Sequence, residues 1–249
     1  MRLRLQLPDQ GRLRTREVLL LGSQRPQSQK RPSFRRAPLL ERRDGFARAA
    51  VPGRRGGLDI EAFSDLATRQ RAIRKFDHAR PVDDALIERI VTAGTHAPSG
   101  GNRQHFRFVV VRDAEVKREL SDVYTLANAR YGNAAARTAW SDAPVLIVAC
   151  SQGGTPPSAG SAGAAASRAA SVLPAVQNML LAITALGLGS VLTTLWKDEE
   201  PRVKAVLGLP DDVEVHAILP VGWPDRKYGR NHRKPMSEVT YRDRFGVPW

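Results

Sequence analysis

Val145-Leu146-Ile147-Val148-Ala149-Cys150 is an unbroken apolar run, bounded by Pro144 before it and Gly153 after it. A strand with one wet face alternates apolar and polar side chains. Six apolar residues in a row therefore predict a central strand covered on both faces. Such a strand needs further layers above and below it, and the flanking sequence should supply them.

It does so in both directions. Downstream, residues 167–186 read as a long helix, with Pro174 near its start or at a kink. Residues 190–195 read as a strand, 201–207 as a short helix with Pro201 at its first position, and 213–221 as another strand. Upstream, 106–111 is a β-run, followed by a helix over 114–124 or as far as 136. Asp83 and Asp84 suit a helix N-terminus, and Leu86, Ile87, Ile90 and Val91 give that helix an apolar stripe that stops at Gly94. Residues 58–68 form a shorter helix with Ile60, Phe63, Leu66 and Ala67 at helical spacing. After Trp223 the chain is irregular and basic, ending in an extended tail. Strands mixed with long helices point to an α+β or α/β layer fold.

The chain has 249 residues and a formal net charge of +14. That balance suggests a partner with negative charge, such as a nucleic acid or an anionic surface. The charge is unevenly spread. Residues 1–57 hold 15 Lys+Arg and 4 Asp+Glu, leaving 24 and 21 for the remaining 192 residues. The excess belongs to a leader rich in Arg, Pro, Gln, Ser and Gly, with no sustained period, which we read as disordered. Three explanations stand for it: a nucleic-acid arm, an organelle transit peptide, or upstream sequence read as protein. The third fits best the preference for Arg over Lys along the whole chain. Residues 58–249 then form one near-neutral domain, for which no nucleic-acid partner is expected.

Other classes are excluded in turn. The single cysteine, Cys150, leaves no intramolecular disulfide and no Cys-ligated zinc, and suits a reducing cytoplasm. The longest apolar stretch, 179–195, is broken by Gly187, Gly189 and three threonines, short of the roughly 20 residues that span a bilayer. Gly187-Leu188-Gly189 follows a helix and has Leu192 where a dinucleotide fingerprint needs glycine. No lysine after Gly100-Gly101 makes a phosphate-binding P-loop, and there is no Gly-x-Ser-x-Gly elbow. The histidines, at 78, 96, 105, 216 and 232, lack metal-ligand spacing, so no metal is expected. His96 and His105 read as hydrogen-bonded loop residues, and no Ser/His/Asp set is evident.

Three pieces remain that could carry chemistry. Arg71 and Arg74, three apart, can converge on one anion, because guanidinium grips phosphate in a planar bidentate fashion; alternatively they are two solvated surface residues. Ala97-Pro98-Ser99-Gly100-Gly101-Asn102 joins a helix to a strand and can offer N–H groups and polar side chains to a ligand, or serve only as a loop. Gly187-Leu188-Gly189-Ser190-Val191-Leu192-Thr193-Thr194-Leu195 ends a helix and opens a strand with two hydroxyls, or is simply a Thr-rich strand.

Taken in order, these pieces resemble the nitroreductase family of FMN-dependent oxidoreductases. The likeness covers nearly all of 58–249. It includes Arg71-Ala72-Ile73-Arg74-Lys75-Phe76, the loop as far as Arg103-Gln104, and Pro174-Ala175-Val176-Gln177-Asn178-Met179-Leu180-Leu181. It continues through Leu219-Pro220-Val221-Gly222-Trp223-Pro224, Arg233-Lys234-Pro235-Met236, Glu238-Val239 and Phe245-Gly246.

The resemblance implies an α+β fold: a three-layer α-β-α sandwich with a mostly antiparallel central sheet. It also implies an intertwined homodimer with FMN at the subunit interface. It places Arg71 and Arg74 at the flavin phosphate and pyrimidine side, with Arg233 completing the phosphate clamp. Pro98, Ser99, Gly100 and Asn102 line the cofactor. Ala72 contributes through its backbone, and Leu192, Thr193 and Thr194 face the flavin edge. The implied activity is ping-pong hydride transfer from NAD(P)H to a small organic acceptor, a nitroaromatic or a quinone, with no catalytic side chain named because the flavin does the chemistry. Dehalogenation or flavin cleavage on the same fold is the alternative, and nucleic-acid binding through the leader or flavin binding without turnover are the rivals. Several positions depart from the family pattern: Gln70 where a further Arg is common, Ala72 where Ser is common, and Gln104-His105-Phe106 where Gln-Pro-Trp is usual. The substrate-selecting lid falls at about 125–140 and 151–170. Tyr131, Trp140 and Trp196 are candidates to stack on substrate, with core packing the expected role for at least two.

Overall fold

A computed structural model describes residues 59–131, 140–153 and 162–249. The leader expected over 1–57 and parts of the expected lid lie outside the described residues. In chain order the elements are α1 (Ile60–Arg69), α2 (Asp84–Thr95), β1 (Phe106–Val111), α3 (Ala114–Arg130), β2 (Val145–Gln152), α4 (Ala162–Ala185), β3 (Gly189–Ser190), α5 (Glu200–Leu207) and β4 (Val213–Gly222).

The strands form one antiparallel sheet in the order β1-β2-β4-β3. The apolar run sits at its centre, and its alternating side chains build two separate cores. Val145, Ile147 and Ala149 pack with Val172, Val176, Met179 and Ile183 of α4 and Ile87 and Ile90 of α2. Leu146, Val148 and Cys150 pack on the other face with Leu120, Val123 and Ala127 of α3 and Val203 of α5. Helices on both faces make the expected three-layer α-β-α sandwich. Burying each large aliphatic side chain of β2 contributes roughly 1.5–3 kcal/mol, which is why this strand anchors both layers.

Local chemistry sets several boundaries. Asp59 caps α1 through Glu61 N–H, and Asp113 caps α3 through the N–H groups of Glu115 and Val116, both at 2.9 Å. α4 begins five residues before the expected start because Ala-rich 162–170 is itself a strong helix former. Pro174 lies well inside it, where it removes one backbone hydrogen bond. Gly94 does not stop α2, which runs one residue further. Its role is close approach, since a Cβ there would sit 2.9 Å from Met179 Cγ on α4.

The strand expected over 190–195 is a correction. β3 covers only Gly189–Ser190, and the chain then turns away. Thr193 alone returns to the sheet, bridging Ile218, and its hydroxyl donates to the Ile218 carbonyl at 2.6 Å in place of a continued ladder. Trp140 and Trp196 are fully buried in the second core, and Tyr131 is exposed. No helix among the described residues is long and apolar enough to cross a membrane.

Candidate functional site

The 71–76 segment lies against the edge of the sheet. Ala72 bridges Ser190 in parallel, and Ile73 N–H donates to the Ser190 carbonyl at 2.9 Å. Gly189 permits this approach, since a Cβ there would meet Ile73 at 2.7 Å. With Ile73 and Phe76 buried as anchors, Arg71 and Arg74 are carried to the rim of a cavity of about 540 Å³.

A second strand of chain brings Arg233 to the same cavity. Asn231 Nδ2 donates to the Ala67 and Gln70 carbonyls, both at 2.9 Å, and Asn231 N–H donates to Thr68. These bonds satisfy carbonyls left open at the end of α1. Arg230 adds an ion pair to Asp65 at 2.5 Å. The neighbouring His232 and Arg233 are thereby held over Gln70 and Arg71.

The cavity is lined by Arg71, Arg74, Arg230, His232 and Arg233 and by no carboxylate. Arg230 is matched by Asp65, whereas Arg71, Arg74 and Arg233 form no ion pair among the described residues. Arg71 is oriented by donating to the Gly229 carbonyl at 3.1 Å. Leu180, Val191 and Leu192 supply an apolar wall, and Ala72 lies between the arginines. Unmatched guanidinium groups beside an apolar wall suit a flat ring that carries a phosphate.

The structure brings together Arg71, Ala72, Arg74, Leu192 and Arg233, but not the other expected residues. Thr193 is buried and bonded to Ile218 through its N–H, carbonyl and hydroxyl, so its hydroxyl does not face the cavity. Thr194 is exposed. The 98–102 loop packs elsewhere on the same chain: Gly100 N–H donates to Ser171 Oγ at 3.3 Å, on α4. Gln177 and Leu180, which line the cavity, lie six and nine residues further along that helix, roughly 9–14 Å at 1.5 Å per residue. Within the loop, Ser99 Oγ accepts from Gln104 N–H and Asn102 Oδ1 accepts from Gln104 Nε2. Gly101, Asn102 and Gln104 all have φ between 52 and 59°, which holds the loop in a tight left-handed path. Pro98 is exposed beside it. His96 is exposed and His105 half-buried.

Sequence reasoning missed a polar cluster at the other end of α4. Ser151 Oγ and His216 Nε2 are 2.8 Å apart in the interior. Glu214 accepts from Arg168 Nε at 2.9 Å, and Lys197 lies 2.6 Å from Glu200 and 3.6 Å from Glu214. His216 is the extra residue of a bulge, since Ala149 faces Ala217 while Cys150 faces Val215. Glu214 and His216 interrupt the apolar pattern of their strand two residues apart, and that was the available signal. Burial lowers the His216 pKa from its ordinary value, against the pull of Glu214. Burial also pushes the Cys150 thiol up to about 12, which leaves it unreactive. No group of three or more His, Cys, Asp or Glu side chains suited to a metal occurs among the described residues.

Comparison with known proteins follows the same segments. A family model described as the nitroreductase family matches residues 67–223. A protein of Archaeoglobus fulgidus assigned as NADH dehydrogenase/NAD(P)H nitroreductase is 32% identical over 174 residues, covering 66% of this chain and 86% of its own. An iodotyrosine deiodinase of Thermotoga neapolitana is 31% identical over 190 residues, covering 69% of this chain and 95% of its own. Among solved structures, an oxidised iodotyrosine deiodinase bound to FMN and 3-iodo-L-tyrosine superposes with a TM-score of 0.58 at 26% identity, over 70% of this chain and 95% of that one. With the family model spanning most of the described residues, and the sandwich and its arginine-lined cavity in place, the chain belongs to the nitroreductase family.

Proposed function

We propose that the protein is an FMN-dependent oxidoreductase that takes reducing equivalents from NAD(P)H and delivers them to a small organic acceptor, a nitroaromatic or a quinone. The observation that carries this is the cavity where Arg71, Arg74 and Arg233 meet an apolar wall with no carboxylate to neutralise them. The residues present fit a flavin mononucleotide, because a phosphate dianion requires fixed positive charge and the ring requires apolar contact. FMN, when bound, supplies the hydride chemistry for both halves of a ping-pong cycle.

The chain's own residues bind and bias. Arg71 and Arg233 hold the phosphate, each charge-assisted hydrogen bond contributing about 1.5–3 kcal/mol. Arg74 lies toward the pyrimidine side, where a fixed cation favours negative charge on the ring. Leu192 and Ala72 shape the wall, and neither threonine hydroxyl lines it: that of Thr193 is bonded to Ile218, and Thr194 is exposed outside the cavity.

The working unit is a homodimer. Pro98, Ser99, Gly100 and Asn102 sit too far along α4 to close their own chain's cavity, so a second copy supplies that loop. Residues 235–249 support the same reading. Among the described residues their hydrogen bonds stay within that stretch, while Phe245 is 90% and Trp249 63% exposed. An arm that displays such side chains is covered by a partner.

The purified protein should show flavin absorbance. Arg233→Ala or Arg71→Ala should weaken FMN binding about tenfold or more while the dimer stays folded. Unchanged FMN affinity in both variants sinks this assignment. A second reading, reductive dehalogenation of a halogenated phenol, is favoured by the deiodinase relatives. NAD(P)H consumption with a nitroaromatic, and no iodide released from 3-iodo-L-tyrosine, supports the first reading over the second.

A further inference from the structure

We propose that the protein carries a second ligand site, a cavity of about 860 Å³ beside the first, that binds an aromatic ring bearing a phosphate, such as a nucleoside monophosphate. The extended 71–76 segment separates the two. Ala72 and Arg74 line the first cavity, Ile73 and Asp77 line the second, and Arg71 reaches both.

Two rings form one wall of the second cavity. Trp223 is fixed by its Nε1–H, which donates to the Pro81 carbonyl at 2.9 Å, and Tyr228 by its hydroxyl, which donates to Asp225 at 2.7 Å. Each carries a guanidinium. Arg80 lies 3.3 Å over the Trp223 ring and Arg226 lies 5.2 Å over that of Tyr228. Gly187, Leu188, Gly189 and Ile73 form a smooth apolar floor.

The charge on this surface is unbalanced. Arg69, Arg71, Arg80, Arg226 and Lys227 line the cavity with one carboxylate, Asp77, and Asp225 just outside the lining is engaged by the Tyr228 hydroxyl. Arg69 is spent on Asp65 at 3.0 Å, and Asp77 accepts from Ala79 N–H. Arg80, Arg226 and Lys227 form no ion pair among the described residues. Stacking on a ring orients a guanidinium without cancelling its charge, and it leaves the N–H edge available to an anion. A preset fork of donors beside an apolar floor is the chemistry that selects phosphate and a flat ring together. A neutral aromatic would leave the cations unmatched, and a metal ion would find too few carboxylates.

This site shares Arg71 with the flavin cavity but does not need the flavin reading, and the test, which leaves Arg71 in place, keeps the two apart. The full-length protein with its FMN is titrated by calorimetry with adenosine 5′-monophosphate, adenosine and inorganic phosphate, while flavin absorbance reports FMN separately. The monophosphate should bind at least about tenfold more tightly than either fragment, and more weakly as salt rises. The Arg80→Ala/Arg226→Ala double variant should lose about tenfold or more of that affinity with FMN content unchanged. Arg226→Ala with Lys227→Ala, both exposed, gives a second variant if removing the guanidinium from Trp223 disturbs folding. Absence of binding at millimolar monophosphate overturns the proposal. So does unchanged affinity in both variants, displacement by added FMN, or binding of an oligonucleotide without the mononucleotide.

Discussion

Two groups of cations sit near opposite ends of α4, and the chain treats them differently. At the end near Arg168, positive charge is matched within the fold: Arg168 to Glu214, and Lys197 to Glu200 and Glu214, with Arg168 and Glu214 only 11% and 16% exposed. At the end near Leu180, Arg71, Arg74 and Arg233 gather with no carboxylate among the described residues. Removing charges from water is costly unless a partner compensates. The matched group therefore serves the fold, whereas the unmatched arginines, exposed or half-buried, stay in reach of water and are the ones proposed to meet a ligand phosphate.

The largest expected effect tests the matched end. Glu214→Gln leaves Arg168 and Lys197 without their shared counter-charge, and should cost roughly 2–4 kcal/mol in urea unfolding. Arg233→Ala, proposed above to weaken FMN binding, should cost less than about 0.5 kcal/mol in the same measurement on the flavin-free protein. Equal losses would break the comparison, because the unmatched arginines would then be structural as well.

A smaller effect appears in the pH dependence. Burial keeps the His216 pKa below its ordinary 6.5, with Glu214 pulling the other way. The unfolded chain therefore binds more protons just below pH 6.5 than the folded chain does. Stability is complete above 6.5 and falls as the pH drops toward the folded value. For Glu214, burial alone would raise the pKa, but the Arg168 hydrogen bond and the charges of His216 and Lys197 outweigh it and hold it below 4.5. The stability this confers is present above 4.5 and is lost on further acidification. Both groups thus weaken the fold in acid. His216→Gln keeps a polar group for Ser151 and should flatten the first decline, while the second persists in weaker form because Arg168 and Lys197 still act on Glu214. An unchanged slope below pH 6.5 would remove His216 from the account.

The layers were legible in the sequence because their signals are local. β1 runs over the residues expected, and the apolar run became the central strand with its side chains alternating between two cores. Arg71, Arg74 and Arg233 were legible through their order along the chain, although 159 residues separate the second from the third. What depended on distant geometry was hidden. Gly94 looked like a helix stop until Met179 showed that it admits a second helix. Thr193 looked like a ligand-facing hydroxyl until Ile218 claimed it. Ser151 and His216 lie 65 residues apart and meet through a bulge that no spacing rule displays. The second cavity joins residues 69–80, 184–189 and 223–228, stretches that no spacing rule brings together.

The smallest expected effect decides whether pairing or burial gives the matched end its importance. Arg112 lies 2.6 Å from Asp84, a shorter separation than that between Arg168 and Glu214, but the two side chains are 40% and 94% exposed. Water already solvates both charges, so the contact replaces one favourable environment with another and restrains two side chains in the process. Asp84 also keeps its place in the first turn of α2, where a carboxylate is favourable without Arg112. Arg112→Ala should therefore cost no more than about 0.5 kcal/mol in urea unfolding. A loss comparable to that of Glu214→Gln would mean that proximity alone sets the value of an ion pair in this fold. The contrast between the two ends of α4 would then reduce to which arginines happen to have a neighbour.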